Sequence, residues 1–201
     1  MILKICGITN AEDAEAAIAG GATALGFNFY LGSPRYIDPE RAAEIVTPRG
    51  VLRVGVFVNQ PPEKIRDAAR IARIDVAQLH GNERRQDYPK EIPVWKAANV
   101  TTGFDFAWYA KCRAQAIVLD GPAGQLYGGS GRSFDWSLAA GLQKRIIVAG
   151  GLSASNVAQA IALARPWGVD ACSRLESAPG KKDLVKMAAF LSAARKAALH
   201  V

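Results

Sequence analysis

Apolar residues along the 201-residue chain gather in short runs separated by longer, periodically apolar stretches. The runs are Met1–Ile5, Thr23–Phe29, Leu52–Val58, Val76–Leu79, Val94–Ala98, Ala116–Leu119, Arg145–Val148 and Gly168–Cys172. Each is too short for a stable helix. Each is also too continuously apolar for a strand with one wet face. They predict strands buried on both sides, as in a parallel sheet. The stretches between them predict helices near Ala11–Ala19, Pro39–Val46, Pro61–Ala72, Phe104–Lys111, Asp135–Leu142, Ser153–Ala164 and Lys182–Ala198, with a short one after Leu79. Local punctuation agrees. Thr9 or Asn10 can cap the first helix, with acidic residues in its first turn. Gly20-Gly21 is a stop signal. Pro39 suits the first helical position, and Ser153 reads as another cap.

Eight strand-then-helix units follow one another with no linker and no low-complexity segment. The β/α unit recurs without a sequence repeat. This predicts an α/β protein forming one (β/α)8 (TIM) barrel domain over residues 1–201, compact for that fold. A doubly wound open sheet is the alternative. It would leave edge strands and needs fewer units.

Charge and composition narrow the function classes. Lys and Arg number 25 against 18 Asp and Glu, a net charge of +7. The basic residues are scattered over the predicted helices, with no dense run interleaved with aromatics, so nucleic-acid binding is not expected. They read as solvated helix faces, or as a field that attracts a small dianionic substrate. Three cysteines without CxxC or Cys/His spacing argue against a disulfide framework and against a metal site. No apolar run reaches the roughly 18 residues of a membrane span, and no apolar leader precedes the first strand. A cytoplasmic protein is expected.

In such barrels the chemistry sits at the carboxyl ends of the strands. Those positions hold Cys6, Arg35 in Ser33-Pro34-Arg35, His80 in Gln78-Leu79-His80-Gly81, and Asp120 after Val118-Leu119. The last two units add Ala149-Gly150-Gly151-Leu152 and Cys172-Ser173-Arg174. A lone thiol reads as readily as an inert core residue. The polar company at the other strand ends favours chemistry.

At these residues the chain resembles the phosphoribosylanthranilate isomerases of tryptophan biosynthesis. The matching pieces are KICGIT, GFNFYLGSPRYI, VGVFVN, QLHGNE, LDGPAGQLYGGSGRSFDW, VAGGLSASNV and GVDACSRLESAPGKKD. They lie in the family's order and cover nearly the whole chain. The resemblance implies a (β/α)8 barrel that needs no cofactor. It also implies a small phosphorylated substrate and an Amadori rearrangement, and it leaves monomer or homodimer open. Asp120 matches the family's general acid, which must be protonated near neutral pH. Cys6 matches the general base and is needed as a thiolate. Arg35 matches the residue that holds the anthranilate carboxylate. Gly150-Gly151, before a helix N-terminus, match the phosphate cradle, with Ser173 and Arg174 at the same end. His80 either lines the pocket or is a structural histidine. Gly128-Gly129-Ser130-Gly131 reads as a mobile cover or an ordinary exposed loop. Cys112 and Cys172 are assigned no catalytic role.

One departure stands out. The family usually has Ser-Gly-Val-Glu where this chain has Ser173-Arg174-Leu175-Glu176. If that backbone needs a positive φ, a non-glycine residue distorts the site. Crowding of the phosphate by Arg174 is the expected outcome. Two further readings compete: the related sugar-isomerising barrel of histidine biosynthesis, or a variant serving both substrates, and a barrel that has lost activity and acts as a binding protein. Cys6 at the first strand end and the short chain oppose the former. Retention of Cys6, Arg35 and Asp120 opposes the latter.

Overall fold

A computed structural model describes residues 1–101, 104–121, 134–140 and 142–200. Eight parallel strands close into a barrel in chain order. They are β1 (Ile2–Cys6), β2 (Ala24–Asn28), β3 (Leu52–Phe57), β4 (Val76–Leu79), β5 (Val94–Asn99), β6 (Ala116–Asp120), β7 (Ile146–Val148) and β8 (Gly168–Ala171). β8 pairs back onto β1 in parallel, Ile2 opposite Gly168 and Ile5 opposite Ala171, which rules out the open sheet. The helices are α1 (Ala11–Ala19), α2 (Pro39–Glu44), α3 (Pro62–Ile71), α4 (Phe106–Lys111), α5 (Val157–Ala164) and α6 (Leu184–Ala198). Asn10 is the cap of α1, its side chain accepting the Asp13 N–H at 2.8 Å.

Four expected helices come out differently. The stretch from Asp135 is only a 3-10 turn, Trp136–Ala139, because Asp135 accepts from the backbone and the hydroxyl of Ser137, and Ala140 N–H bonds Ser137 O in the tighter i→i+3 pattern. Ser153 does not cap α5. The Asn156 side chain accepts the Ser153 N–H at 2.8 Å, building one non-helical turn before Val157. The last helix starts after Asp183, whose carboxylate accepts the N–H of Val185 and of Lys186. Before it lies a hairpin that patterning missed, β9 (Glu176–Ala178) against β10 (Lys181–Lys182). The short helix after β4 is a 3-10 turn at Arg85–Asp87.

Alternation along the strands sorts side chains into two cores. Those pointing outward (Leu3, Ile5, Leu25, Phe27, Leu79, Ile117, Leu119) meet the helices, which turn Ala14, Ala17, Ile65, Ile161, Phe190 and Leu191 toward them. Burying each large one contributes about 1.5–3 kcal/mol. Those pointing inward fill the amino-terminal half of the barrel with Ala24, Val54, Val76, Trp95, Ala116 and Ile147. Trp167 closes that end, edge-on to Trp95 at 5.7 Å between ring centroids. Toward the carboxyl end the interior becomes polar.

Two buried cations fasten loops to the outside of the barrel. Arg53 gives its guanidinium to the carbonyls of Ala42 (2.6 Å), Ile45 (2.8 Å) and Ala72 (3.0 Å), tying the C-terminal ends of α2 and α3 to β3. Its guanidinium also lies 4.6 Å from the Phe27 ring centre. Lys96 on β5 bonds Leu79 O at 3.2 Å, Gly81 O at 2.7 Å and the Glu83 carboxylate at 3.0 Å. Glu83 in turn accepts the N–H of Gly81 and of Asn59. This clasp fixes the turn on either side of His80.

Candidate active site

One cavity opens at the carboxyl end of the barrel. It is lined by Cys6, Arg35, His80, Asp120, Gly150, Gly151, Ser173 and Arg174, so the fold brings every residue marked at the strand ends to one place. Asn28, Gln78, Asp170 and Cys172 also line it.

Cys6 is the last residue of β1. On the β2 side Gly26 makes room for it. A Cβ there would lie 2.7 Å from the Cys6 sulfur and 3.0 Å from Lys4 Nζ. Lys4 is fully buried, bonding Asp170 at 2.7 Å on the same side of the barrel as Cys6. Cys172 stands across the β1–β8 seam. Cys172, Lys4 and Lys182 hold the Cys6 thiol well below its ordinary range against the opposing effect of burial.

Arg35, in the loop after β2, is half-buried. Its Nε and Nη2 make a two-pronged pair with Glu176 at 2.8–3.1 Å. Lys182 bonds the same carboxylate at 2.9 Å. Burial pushes the Glu176 carboxyl up, but Arg35 and Lys182 outweigh it and hold it below its usual range. The hairpin therefore supplies the anchor of Arg35. It is itself tied to α1 by Lys182 N–H on Asp13 (2.9 Å) and by the Thr9 hydroxyl on Gly180 O (2.5 Å).

Asp120 ends β6 and is 6% exposed. Its Oδ2 lies 3.8 Å from His80 Nε2, too far for a hydrogen bond. Burial, with Lys96 and Lys4 nearby, pushes His80 down to about 4, so the ring is neutral. His80 Nε2, Gln78 Oε1 and Asp170 Oδ1 are buried without a hydrogen-bond partner among the described residues. All three belong to cavity-lining residues. Burial pushes Asp170 up to about 7 despite its bond to Lys4.

His80 predicts a pH effect on stability. Its value drops from an ordinary 6.5 to about 4 on folding, so its contribution is complete above 6.5 and is lost as pH falls toward 4. His80→Gln should flatten that part of the stability curve by at most about 3 kcal/mol. Asp170, raised on folding, loses stability as pH rises toward 7 and is common to both proteins. Urea unfolding of both between those limits reads the difference. Parallel curves would contradict a neutral buried His80.

Gly150 and Gly151 follow β7 with φ of +82° and +65°, conformations that favour glycine and turn the backbone toward the cavity. Ser173 and Arg174 lie in a 3-10 turn, Ser173–Leu175. Arg174 is exposed and is not among the positive-φ residues. The strained backbone considered for this departure from the family is therefore absent. The Gly128–Gly131 stretch lies outside the described residues.

Sequence reasoning missed Lys4, Asp170, Glu176 and Lys182. Parity was the available signal for two of them: Lys4 shares a face with Cys6 on β1, and Asp170 shares one with Cys172 along β8. Glu176 and Lys182 sit on a hairpin that no hydrophobic pattern announced.

An eight-stranded parallel barrel, filled at one end and carrying a thiol, a buried carboxyl, a guanidinium and two left-handed glycines at the other, belongs to the class of (β/α)8-barrel enzymes. The family model for N-(5'phosphoribosyl)anthranilate (PRA) isomerase matches residues 3–193. The chain belongs to that family and is an isomerase. It is 64% identical over 197 residues, 98% of either chain, to the N-(5'-phosphoribosyl)anthranilate isomerase of Solibacter usitatus. The phosphoribosyl anthranilate isomerase of Thermotoga maritima superposes with a TM-score of 0.90 at 42% identity, over 98% of this chain and 100% of that one. A phosphoribosyl anthranilate isomerase in complex with reduced 1-(o-carboxyphenylamino)-1-deoxyribulose 5-phosphate superposes at 0.86 with 40% identity, over 98% of this chain and 100% of that one. Among the described residues no helix is long and apolar enough to cross a membrane.

Proposed function

We propose that the chain converts N-(5'-phosphoribosyl)anthranilate to 1-(2-carboxyphenylamino)-1-deoxyribulose 5-phosphate, an Amadori rearrangement, with Asp120 as general acid and Cys6 as general base. The observation that carries the reading is a thiol and a buried carboxyl on one cavity. Asp120 protonates the ribose ring oxygen and the ring opens to a Schiff base. The Cys6 thiolate then takes the proton from the second sugar carbon. The enolamine formed tautomerises to the keto sugar as the first carbon gains a proton and the 2-hydroxyl loses one. Exchange with solvent takes the proton from Cys6 and restores it to Asp120. An acid has to carry its proton at neutral pH. Burial of Asp120 beside a neutral histidine favours that, where an imidazolium would favour the carboxylate. The unpaired atoms of Gln78, Asp170 and His80 would meet the sugar hydroxyls.

Arg35 would hold the anthranilate carboxylate. Glu176 occupies its Nε edge and leaves the Nη1 edge of a planar fork for a second carboxylate. Arg35→Ala is expected to weaken binding by about 1.5–3 kcal/mol. It should also lose the preference for substrate over an analogue lacking the carboxylate. Equal discrimination by both proteins would assign Arg35 another task.

The phosphate would sit on the backbone N–H groups of Gly150 and Gly151, opposite Ser173 and Arg174. With its backbone relaxed, Arg174 can crowd the anion only through its side chain. Arg174→Gly is expected to lower KM a few-fold, with kcat nearly unchanged. A tenfold rise in KM, with weaker inhibition by inorganic phosphate, would make Arg174 a phosphate ligand instead. Steady-state turnover of freshly made phosphoribosylanthranilate tests the whole reading. Conversion of the histidine-pathway sugar alone, or of neither compound, would overturn it.

A further inference from the structure

A cavity that takes a substrate with an anion at each end has to tell the two ends apart. On the reading above, Arg35 takes the carboxylate end. It stands on a loop, and a guanidinium able to swing would pair with either anion, the doubly charged phosphate attracting it more strongly. Several contacts confine it. Its backbone N–H donates to Ser33 Oγ at 3.1 Å, and Asn28 Nδ2 donates to the same hydroxyl at 3.0 Å. Its stem runs over Gly7, where a Cβ would lie 2.8 Å from Arg35 Cδ. Only the guanidinium then remains to be aimed. Nε donates to both oxygens of Glu176, at 2.9 and 3.1 Å, and Nη2 donates to Oε2 at 2.8 Å. Among the described residues Nη1 makes no hydrogen bond.

The carboxylate that grips Arg35 is itself immobile. The Glu176 side chain is 4% exposed. Its Oε1 also accepts Lys182 Nζ at 2.9 Å, the Gly180 N–H at 3.4 Å and the Cys172 thiol at 3.8 Å. The β9–β10 turn is pressed against the loop that carries Arg35, since a Cβ on Gly180 would stand 3.3 Å from Pro34 O. The Thr9 hydroxyl, just before α1, donates to the carbonyl of the same glycine.

We propose that Glu176 is a positioning residue that decides which end of the substrate Arg35 receives: its two-pronged grip leaves one flat edge of the guanidinium for a planar carboxylate and stops that edge from turning to the phosphate. This rests on Arg35 holding the anthranilate carboxylate. Glu176 touches no substrate atom in this role. It also offsets one of two neighbouring cations, Arg35 and Lys182, so that one positive charge is left for one carboxylate. Fixing a long side chain in advance is worth roughly three- to tenfold in affinity.

Five proteins test this: the parent, Glu176→Asp, Glu176→Gln with Lys182→Met, Arg35→Ala, and Arg35→Ala with Glu176→Asp. Each is titrated by calorimetry with reduced 1-(o-carboxyphenylamino)-1-deoxyribulose 5-phosphate and with its phenylamino counterpart, which lacks the carboxylate. The readout is the preference for the first ligand, the ratio of the two Kd values. Glu176→Asp keeps the charge that buried Lys182 needs but shortens the grip by one methylene. The Gln/Met pair keeps the local net charge and leaves no buried charge unpaired, yet offers the guanidinium a single acceptor oxygen. Both should lower the preference about three- to tenfold. In the Arg35→Ala background, Glu176→Asp should lower it no further. A preference that stays at or above the parental value in either Glu176 variant overturns the proposal, because a merely structural loss weakens both ligands alike. So does a fall that persists in full without Arg35. The reading of Arg35 fails separately, since Arg35→Ala would then keep the parental preference.

Discussion

Cys6→Ala and Asp120→Ala should each lose about 10²- to 10⁴-fold in kcat, the usual worth of a placed acid or base. Neither change should unfold the protein. Cys6 has a cation beside it and ends its strand at the cavity, so alanine removes a charge without opening a hole in the core. Asp120 also faces the cavity, and the β5–β6 pairing from Trp95–Ala116 to Asn99–Asp120 does not depend on its side chain. The two variants should differ in pH behaviour. Loss of the thiolate removes the rise of kcat with pH on the acid side, whereas loss of the carboxyl removes the fall on the alkaline side. Circular dichroism and urea unfolding confirm the fold, and single-turnover measurements isolate the chemical step from product release. Near-normal turnover in either variant would sink that residue's assignment.

The largest expected loss of stability comes from outside the cavity. Lys96 and Glu83 are 3% and 4% exposed and 3.0 Å apart. Lys96→Met keeps the length of the side chain but leaves the Glu83 carboxylate without its cation, and the carbonyls of Leu79 and Gly81 without a donor. Breaking one side of a buried pair typically costs about 3–5 kcal/mol. For a chain of this size that lowers Tm on the order of 10 °C. Glu83 retains two backbone N–H donors, so the lower end of the range is expected. A loss under about 1 kcal/mol would show that the clasp is dispensable. Because His80 lies between the two carbonyls that Lys96 holds, kcat/KM should fall as well, and it should fall more than heat damage alone explains at temperatures well below Tm.

The barrel was legible because its eight strands are apolar on both faces, a pattern few other folds require, and because glycine, proline and Asx caps punctuate the units. The site was legible for a different reason. Chemistry in this architecture collects at strand ends, so Cys6, His80 and Asp120 could be read by position alone, and Arg35 from its loop. What stayed hidden was what these residues lean on. Glu176, Lys182 and Asp13 form a brace whose members are 6 to 169 residues apart, and no local pattern encodes such spacing. Lys4 reads as a stray charge in an apolar strand until β8 brings Asp170 against it. For Arg174 the sequence left two backbone conformations open, and only the structure shows that its 3-10 turn uses no positive φ.

The hairpin at residues 176–182 has a consequence for biosynthesis. The thiol at position 6 leaves the ribosome first, but Lys182, one of the cations that favour its ionised form, is translated just before the closing helix. Lys4 and Asp170 are likewise 166 residues apart. Throughout elongation, Cys6 is an ordinary cysteine with an ordinary appetite for oxidants and electrophiles. Its nucleophilicity is switched on only when the ring of strands shuts. The long-range contacts that make such a barrel slow to complete therefore also delay the exposure of a reactive sulfur until it is enclosed.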